Sequence, residues 1–193
     1  MTLSQCAPKS LSVSPSQVAE VVAQAMPAAD YRGKKVLLII PDHTRTAPVG
    51  LMFKTIHQQL GAAVKALDIL VALGTHVAMN EAAICERLEI SLAERRGAYA
   101  KVGFFNHAWD NPQALTQVGT ITAAEISELT GGLFAMEVPV EVNKLVFDYD
   151  QVVIVGPVFP HEVVGFSGGN KYLFPGVAGP QILNFFHWLG AVV

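Results

Sequence analysis

Two kinds of apolar pattern alternate along the chain. Residues 34–41 (KKVLLIIP), 66–76 (ALDILVALGTH) and 151–160 (QVVIVGPVFP) hold short apolar runs rich in β-branched side chains. Runs of this kind, with little polar alternation, suit strands buried on both faces of a parallel sheet. Residues 14–26, 49–63 and 79–90 instead space their apolar side chains as a helix with one buried face does. Ser14 before Pro15, and Asn80 before Glu81, are start signals for the first and third of these helices. Residues 101–109 read as a strand running into a loop, and 117–122 and 136–147 as strands of a β-rich insert. A further helix begins after Gly179. Strand and helix alternate, which predicts an α/β fold: a mostly parallel sheet flanked by helices, with a small β-rich insert.

Composition narrows the class. The chain has 193 residues, 51% hydrophobic and 15% charged, enough for one domain with its own core. We expect a single Rossmann-like α/β domain over residues 1–193. No uninterrupted apolar run reaches the roughly 20 residues that span a bilayer, and the first residues lack the charged and apolar regions of a signal peptide. A cytoplasmic protein with no membrane partner is the default expectation. The formal net charge is −3 and the 13 basic residues are scattered, so no nucleic-acid footprint is present. Cys6 and Cys85 form no C-x-x-C pair and indicate no disulfide framework. The chain ends NFFHWLGAVV, apolar to its last residue. That ending predicts either a truncation before a second domain or packing against a partner.

In parallel sheets, ligands bind beyond the carboxyl ends of the strands, and the unusual polar residues fall there. The first strand is followed by Asp42, His43, Thr44 and Arg45, the second by Thr75 and His76, the third by Asn106 and His107, and the last by His161. Gly168, Gly169 and Lys171 come next, in GFSGGNKYLFPG, and His187 lies between Phe186 and Trp188. Each has a plain alternative. Asp42 and Thr44 could cap the next helix. Arg45 could be solvated, though its planar fork matches a carboxylate or phosphate. His76 could be a satisfied loop histidine. His107, beside Trp109, suits acid–base work. Gly168 and Gly169 permit positive φ or close backbone approach, without a P-loop pattern. Lys171 alone is a surface residue, and His187 alone a core histidine that needs a partner or a metal.

The ordered set, DHTR, ALGTH, NHAW, PHEVVGFSGGNKYLFPG and FFHW, resembles the nickel-pincer-dependent racemases and epimerases of the lactate racemase type. It is similar to their N-terminal domain from about residue 34 to the end. His161, Lys171 ten residues on and His187 sixteen further carry most of that resemblance. It implies a pyridinium mononucleotide whose two thio-acyl groups hold nickel. Lys171 would be joined to it through a thioamide, His187 would ligate nickel, and Asp42, Thr44, Gly168 and Gly169 would surround it. His107 and His161 would be the acid–base pair and Arg45 would hold the substrate carboxylate. The implied reaction is inversion of a small 2-hydroxy acid, lactate in the type case, by reversible hydride transfer through a 2-keto acid. The implied partners are a C-terminal domain of the same protein and the enzymes that make the cofactor.

Two readings from other classes compete. A zinc-dependent hydrolase would use His76, His107 and His161 as converging ligands. A non-catalytic nucleotide- or anion-binding module would keep Lys171 and the glycines but make the histidines dispensable.

Overall fold

The computed structural model describes residues 2–161 and 165–192. Residues 162–164, within the PHEVVGFSGGNK motif, and the two terminal residues lie outside the described set. The core sheet has four parallel strands: β1 (Lys35–Pro41), β2 (Ala66–Ala72), β3 (Phe104–Asn106) and, as introduced later in the chain, β6 (Gln151–Ile154). Their spatial order is β3-β2-β1-β6, so β1 is central. It pairs with β2 from Lys35↔Ala66 to Pro41↔Ala72 and with β6 from Val36↔Gln151 to Ile39↔Ile154.

β1 is continuously apolar because both its faces are covered. Val36, Leu38 and Ile40 point to one core with Ile69 and Val71. Helices α1 (Pro15–Ala25), α2 (Val49–Leu60) and α3 (Glu81–Arg87) close that side through Val22, Phe53, Ile56, Ile84 and Leu88. Leu37 and Ile39 point to the opposite core, with Leu70, Tyr172 and Val177. This second face is covered by Leu145, Val146 and Leu173, from short 3-10 turns and the segment that follows Lys171, rather than by long helices. The α/β fold is as expected, and the start signals behave as read. Ser14 forms a capping box with Gln17, and Asn80 Oδ1 accepts from the Ala83 amide.

Two local expectations change. The 151–160 run is not one strand: β6 stops at Ile154, and β7 (Phe159–His161) pairs antiparallel with β8 (Gly165–Ser167). Gly156 and Pro157 make the break, since a Cβ at Gly156 would overlap Tyr172 Oη and proline lacks a ladder donor. The insert is the antiparallel pair β4 (Leu115–Ile121) and β5 (Val138–Asn143), but α5 (Ala123–Leu129) connects them. Its TAAE start is a capping box, Thr122 with Glu125. A short α4 (Leu92–Arg96) has the same device in Ser91 and Glu94. The last helix, α6 (Pro180–Val192), packs Ile182 and Phe185 on Ile126 and Val138 of the insert. Among the described residues no helix is long and apolar enough to cross a membrane.

Candidate functional site

β1 is flanked by β2, the next strand in sequence, on one side and by β6 on the other, so the winding direction reverses at β1. Beyond its carboxyl end lies a cleft of about 210 Å³ lined by Asp42, Thr44 and Arg45 after β1, by Gly74, Thr75 and His76 after β2, and by Pro157 after β6. The opposite wall is Gly168, Lys171, Tyr172 and Gly176, with Leu183 and His187 from α6. This is where a doubly wound sheet builds its ligand sites.

Asp42 organises the near wall. It is 3% exposed, and both carboxylate oxygens are used. Oδ1 accepts from Thr44 Oγ1 at 2.6 Å and from the Thr44 amide at 3.1 Å. Oδ2 lies 2.6 Å from His76 Nδ1. Burial pushes the Asp42 carboxyl up, but the bonds from Thr44 and His76 outweigh it and leave it below its ordinary value. An ionised carboxylate only accepts, so His76 Nδ1 carries the proton and donates. When the ring is neutral, its Nε2 then bears the lone pair. Asp42 and Thr44 do not cap α2, which begins at Val49 after Pro48 with no side-chain cap. Arg45 is exposed at the cleft. The loop that carries these residues is held from α3: Arg87 Nε donates to Pro41 O at 3.2 Å and Nη2 to Arg45 O at 2.7 Å.

The far wall is built on the glycine run. Gly168 has φ +84° and ψ −172°, a region essentially restricted to glycine. A Cβ there would also overlap the carbonyl oxygen of Pro157. Gly169, also at positive φ, starts the 3-10 turn that includes Lys171, but does not line the cleft. Tyr172 and Val177 bury the flanks of that turn in the second core. On α6, His187 Nδ1 donates to Leu183 O at 3.0 Å. That bond leaves the lone pair of the neutral ring on Nε2, the arrangement in which metal-binding histidines are usually held.

The structure therefore brings together Asp42, Thr44, Arg45, Gly168, Lys171 and His187. It does not bring His107 to them. His107 is 2% exposed, and both ring nitrogens are taken inside the protein. Nε2 lies 2.9 Å from Ala178 O and so donates. Asn143 Oδ1 accepts from the Leu145 amide, which turns its Nδ2 toward His107 Nδ1 at 3.2 Å. His107 is thus a neutral core imidazole, and burial holds its pKa below the ordinary value. His161 ends β7, half-buried, and does not line the cleft. Among the described residues, the histidine that lines it besides His187 is His76, for which the sequence leaves open a satisfied loop histidine or a metal ligand. Its signal was its place after a buried strand. That β2 lies beside β1, bringing His76 to Asp42, is a fact of pairing that spacing does not carry. Among the described residues no three His, Cys, Asp or Glu side chains converge as metal ligands, which removes the ligand set of the zinc reading.

The donor set and cradle fit the group that the resemblance implies. A lysine, an imidazole with a committed Nδ1 and a turn that excludes a Cβ face one cleft.

Comparison with known proteins agrees with the fold. The chain is 27% identical over 152 residues to a lactate racemase from Thermoanaerobacterium thermosaccharolyticum, a match covering 78% of this chain and 31% of that protein. A crystal structure of a Thermotoga maritima protein superposes with a TM-score of 0.82 at 35% identity, covering 93% of this chain and 42% of the other. The lactate racemase apoprotein of T. thermosaccharolyticum superposes at 0.62 with 26% identity, covering 86% of this chain and 38% of the other. The chain thus spans less than half the length of each of these proteins. The lactate racemase N-terminal domain family matches residues 16–192, and the chain belongs to that family.

Proposed function

We propose that this chain is the cofactor-bearing domain of a 2-hydroxy acid racemase or epimerase. The observation that carries the reading is that Lys171 and His187 share one cleft with Arg45 and the Asp42–His76 pair. In this reading Lys171 is the point of attachment for a nickel-pincer nucleotide, and His187 offers Nε2 to its nickel. Gly168, which lines the cleft, lets a bulky anionic group approach the backbone, since it presents no side chain. When bound, that group supplies a reversible acceptor for hydride.

The remaining roles belong to the protein. Arg45 pairs with the substrate carboxylate through its planar fork and holds the reacting carbon in place. His76 Nε2 takes the proton of the substrate hydroxyl, and Asp42 stabilises the imidazolium that forms, as a buried carboxylate does behind a catalytic histidine. Inversion needs a second proton-moving group for the opposite enantiomer, the role that the resemblance gives to His161, which ends β7 outside the cleft lining. His76 replaces His107 in the pair, because His107 has no ring nitrogen left for a substrate. The rest of the longer protein and the enzymes that make the cofactor are the partners this reading requires.

The test is intact-protein mass spectrometry with elemental analysis, on full-length protein made alongside the cofactor-synthesis enzymes. A mononucleotide-sized adduct on the Lys171 peptide, with nickel that H187A loses, is the expected result. In the loaded enzyme H76A and H161A should each retain nickel and lose at least about 100-fold in racemisation, the scale of general acid–base catalysis. Unmodified Lys171 under those conditions would sink the reading. Normal racemisation by H76A would leave the domain a carrier and remove its catalytic role.

A further inference from the structure

We propose that Arg87 is a positioning residue: its guanidinium sets the shape of the 42–45 loop and so the aim of Arg45 and Asp42. The kinetic consequence rests on the function proposed above; the structural one does not. Arg87 is the last residue of α3, away from the cleft lining, and half-buried. One guanidinium spans both ends of the loop, with Nε on Pro41 O and Nη2 on Arg45 O. Within the loop, the bonds of Asp42 to Thr44 and His76 fix its first half, and little else defines the stretch up to Arg45. Its own backbone bond, Arg45 N to Asp42 O, is long at 3.5 Å, and α2 begins without a side-chain cap to hold the loop's far end.

The support behind Arg87 is rigid. Ile84, Cys85 and Leu88 bury α3 in the first core, and Asn80 caps it. The residue before the cap is clamped as well, because Asn106 Oδ1 accepts from the Met79 amide and Asn106 Nδ2 donates to Met79 O. Asn106 is thus spent on α3, and its strand-end position serves the cleft through Arg87. A lysine at 87 could keep the charge but not the two-carbonyl span, because an ammonium is a point donor without a planar fork. Geometry and charge can therefore be separated.

The experiment compares R87K and R87Q with the parent in the full-length, cofactor-loaded protein. Hydrogen exchange of the Thr44 amide, which Asp42 Oδ1 holds at 3.1 Å, should quicken about tenfold in both variants, the scale of one lost hydrogen bond. Exchange across α3 and the sheet should stay at the parental rate. The KM for the carboxylate substrate should rise about tenfold in both, with the Lys171 adduct and nickel content unchanged. Parental Thr44 exchange in both variants, or loss of protection throughout α3, would overturn the proposal. So would recovery of both readouts in R87K, which would make charge the determinant. If the parent itself carries no adduct and no racemisation, the functional reading fails while Thr44 exchange still decides the role of Arg87.

Discussion

His76 and His107 each follow a strand of the sheet, yet their rings have opposite surroundings. The His76 side chain is 49% exposed, with Nδ1 fixed on a buried carboxylate. His107 is enclosed, with a carbonyl on one nitrogen and an amide N–H on the other. The second arrangement has a measurable cost in acid. The unfolded chain protonates an ordinary histidine near pH 6.5, whereas burial lowers the pKa of folded His107. The unfolded state therefore binds more protons below about pH 6.5, and stability is lost as pH falls through that window. His57, also lowered by burial beside Phe53 and Tyr99, adds to the same slope. Urea midpoints should drop between pH 7 and 5, while the His107 ring resonances of the folded protein titrate below the ordinary histidine value. A His107 ring that titrates at or above that value would contradict the closed arrangement.

At the level of elements, α6 is the part of the cleft least supported by the main sheet. It stands on the insert through Ile182 and Phe185 against Ile126 and Val138. Ile126 is 1% exposed. I126A should cost about 2–5 kcal/mol by leaving a cavity, read from urea denaturation. It should also alter the fluorescence of Trp188, whose ring centroid lies 4.3 Å from that of Phe134 in the same cluster. Unchanged stability would mean that α6 is held by something other than this cluster. The central strands and the first helices were legible because each carries its own period, and α1 and α3 their own caps. The sheet order was not, because pairing joins residues as far apart as Val36 and Gln151, and a sequence window cannot see them together. The end of β6 was legible in principle: Gly156-Pro157 is a strand-breaking pair. The capping boxes at Ser91 and Thr122 were equally available and mark the two short helices that the apolar period alone is too short to reveal. The cleft was half legible. Lys171, His187, Arg45 and Asp42 stood out by setting, whereas the place of His76 in the cleft and of His107 in the core rests on contacts made across 34 and 71 residues of chain.

Seen whole, the cleft is assembled from two stretches of chain. Residues 41–76 supply Asp42, Thr44, Arg45 and His76, and residues 157–187 supply Gly168, Lys171 and His187; among the described residues none between 77 and 156 lines it. Between the two stretches lies an exposed turn at Gly131 and Gly132. A chain cut there leaves β1 in one piece and its neighbour β6 in the other, and likewise separates β4 from β5. Co-expressed fragments 1–131 and 132–193 should copurify and give the helical circular dichroism of the uncut chain, whereas each alone should not. Independent folding of either fragment would refute this shared construction. The consequence reaches ligand chemistry. A molecule that touches Lys171 and Arg45 at once bridges the two pieces, so it stabilises their union by RT ln(1 + [L]/Kd). Cofactor loading would then be read as fragment cohesion, on a protein that performs no turnover at all.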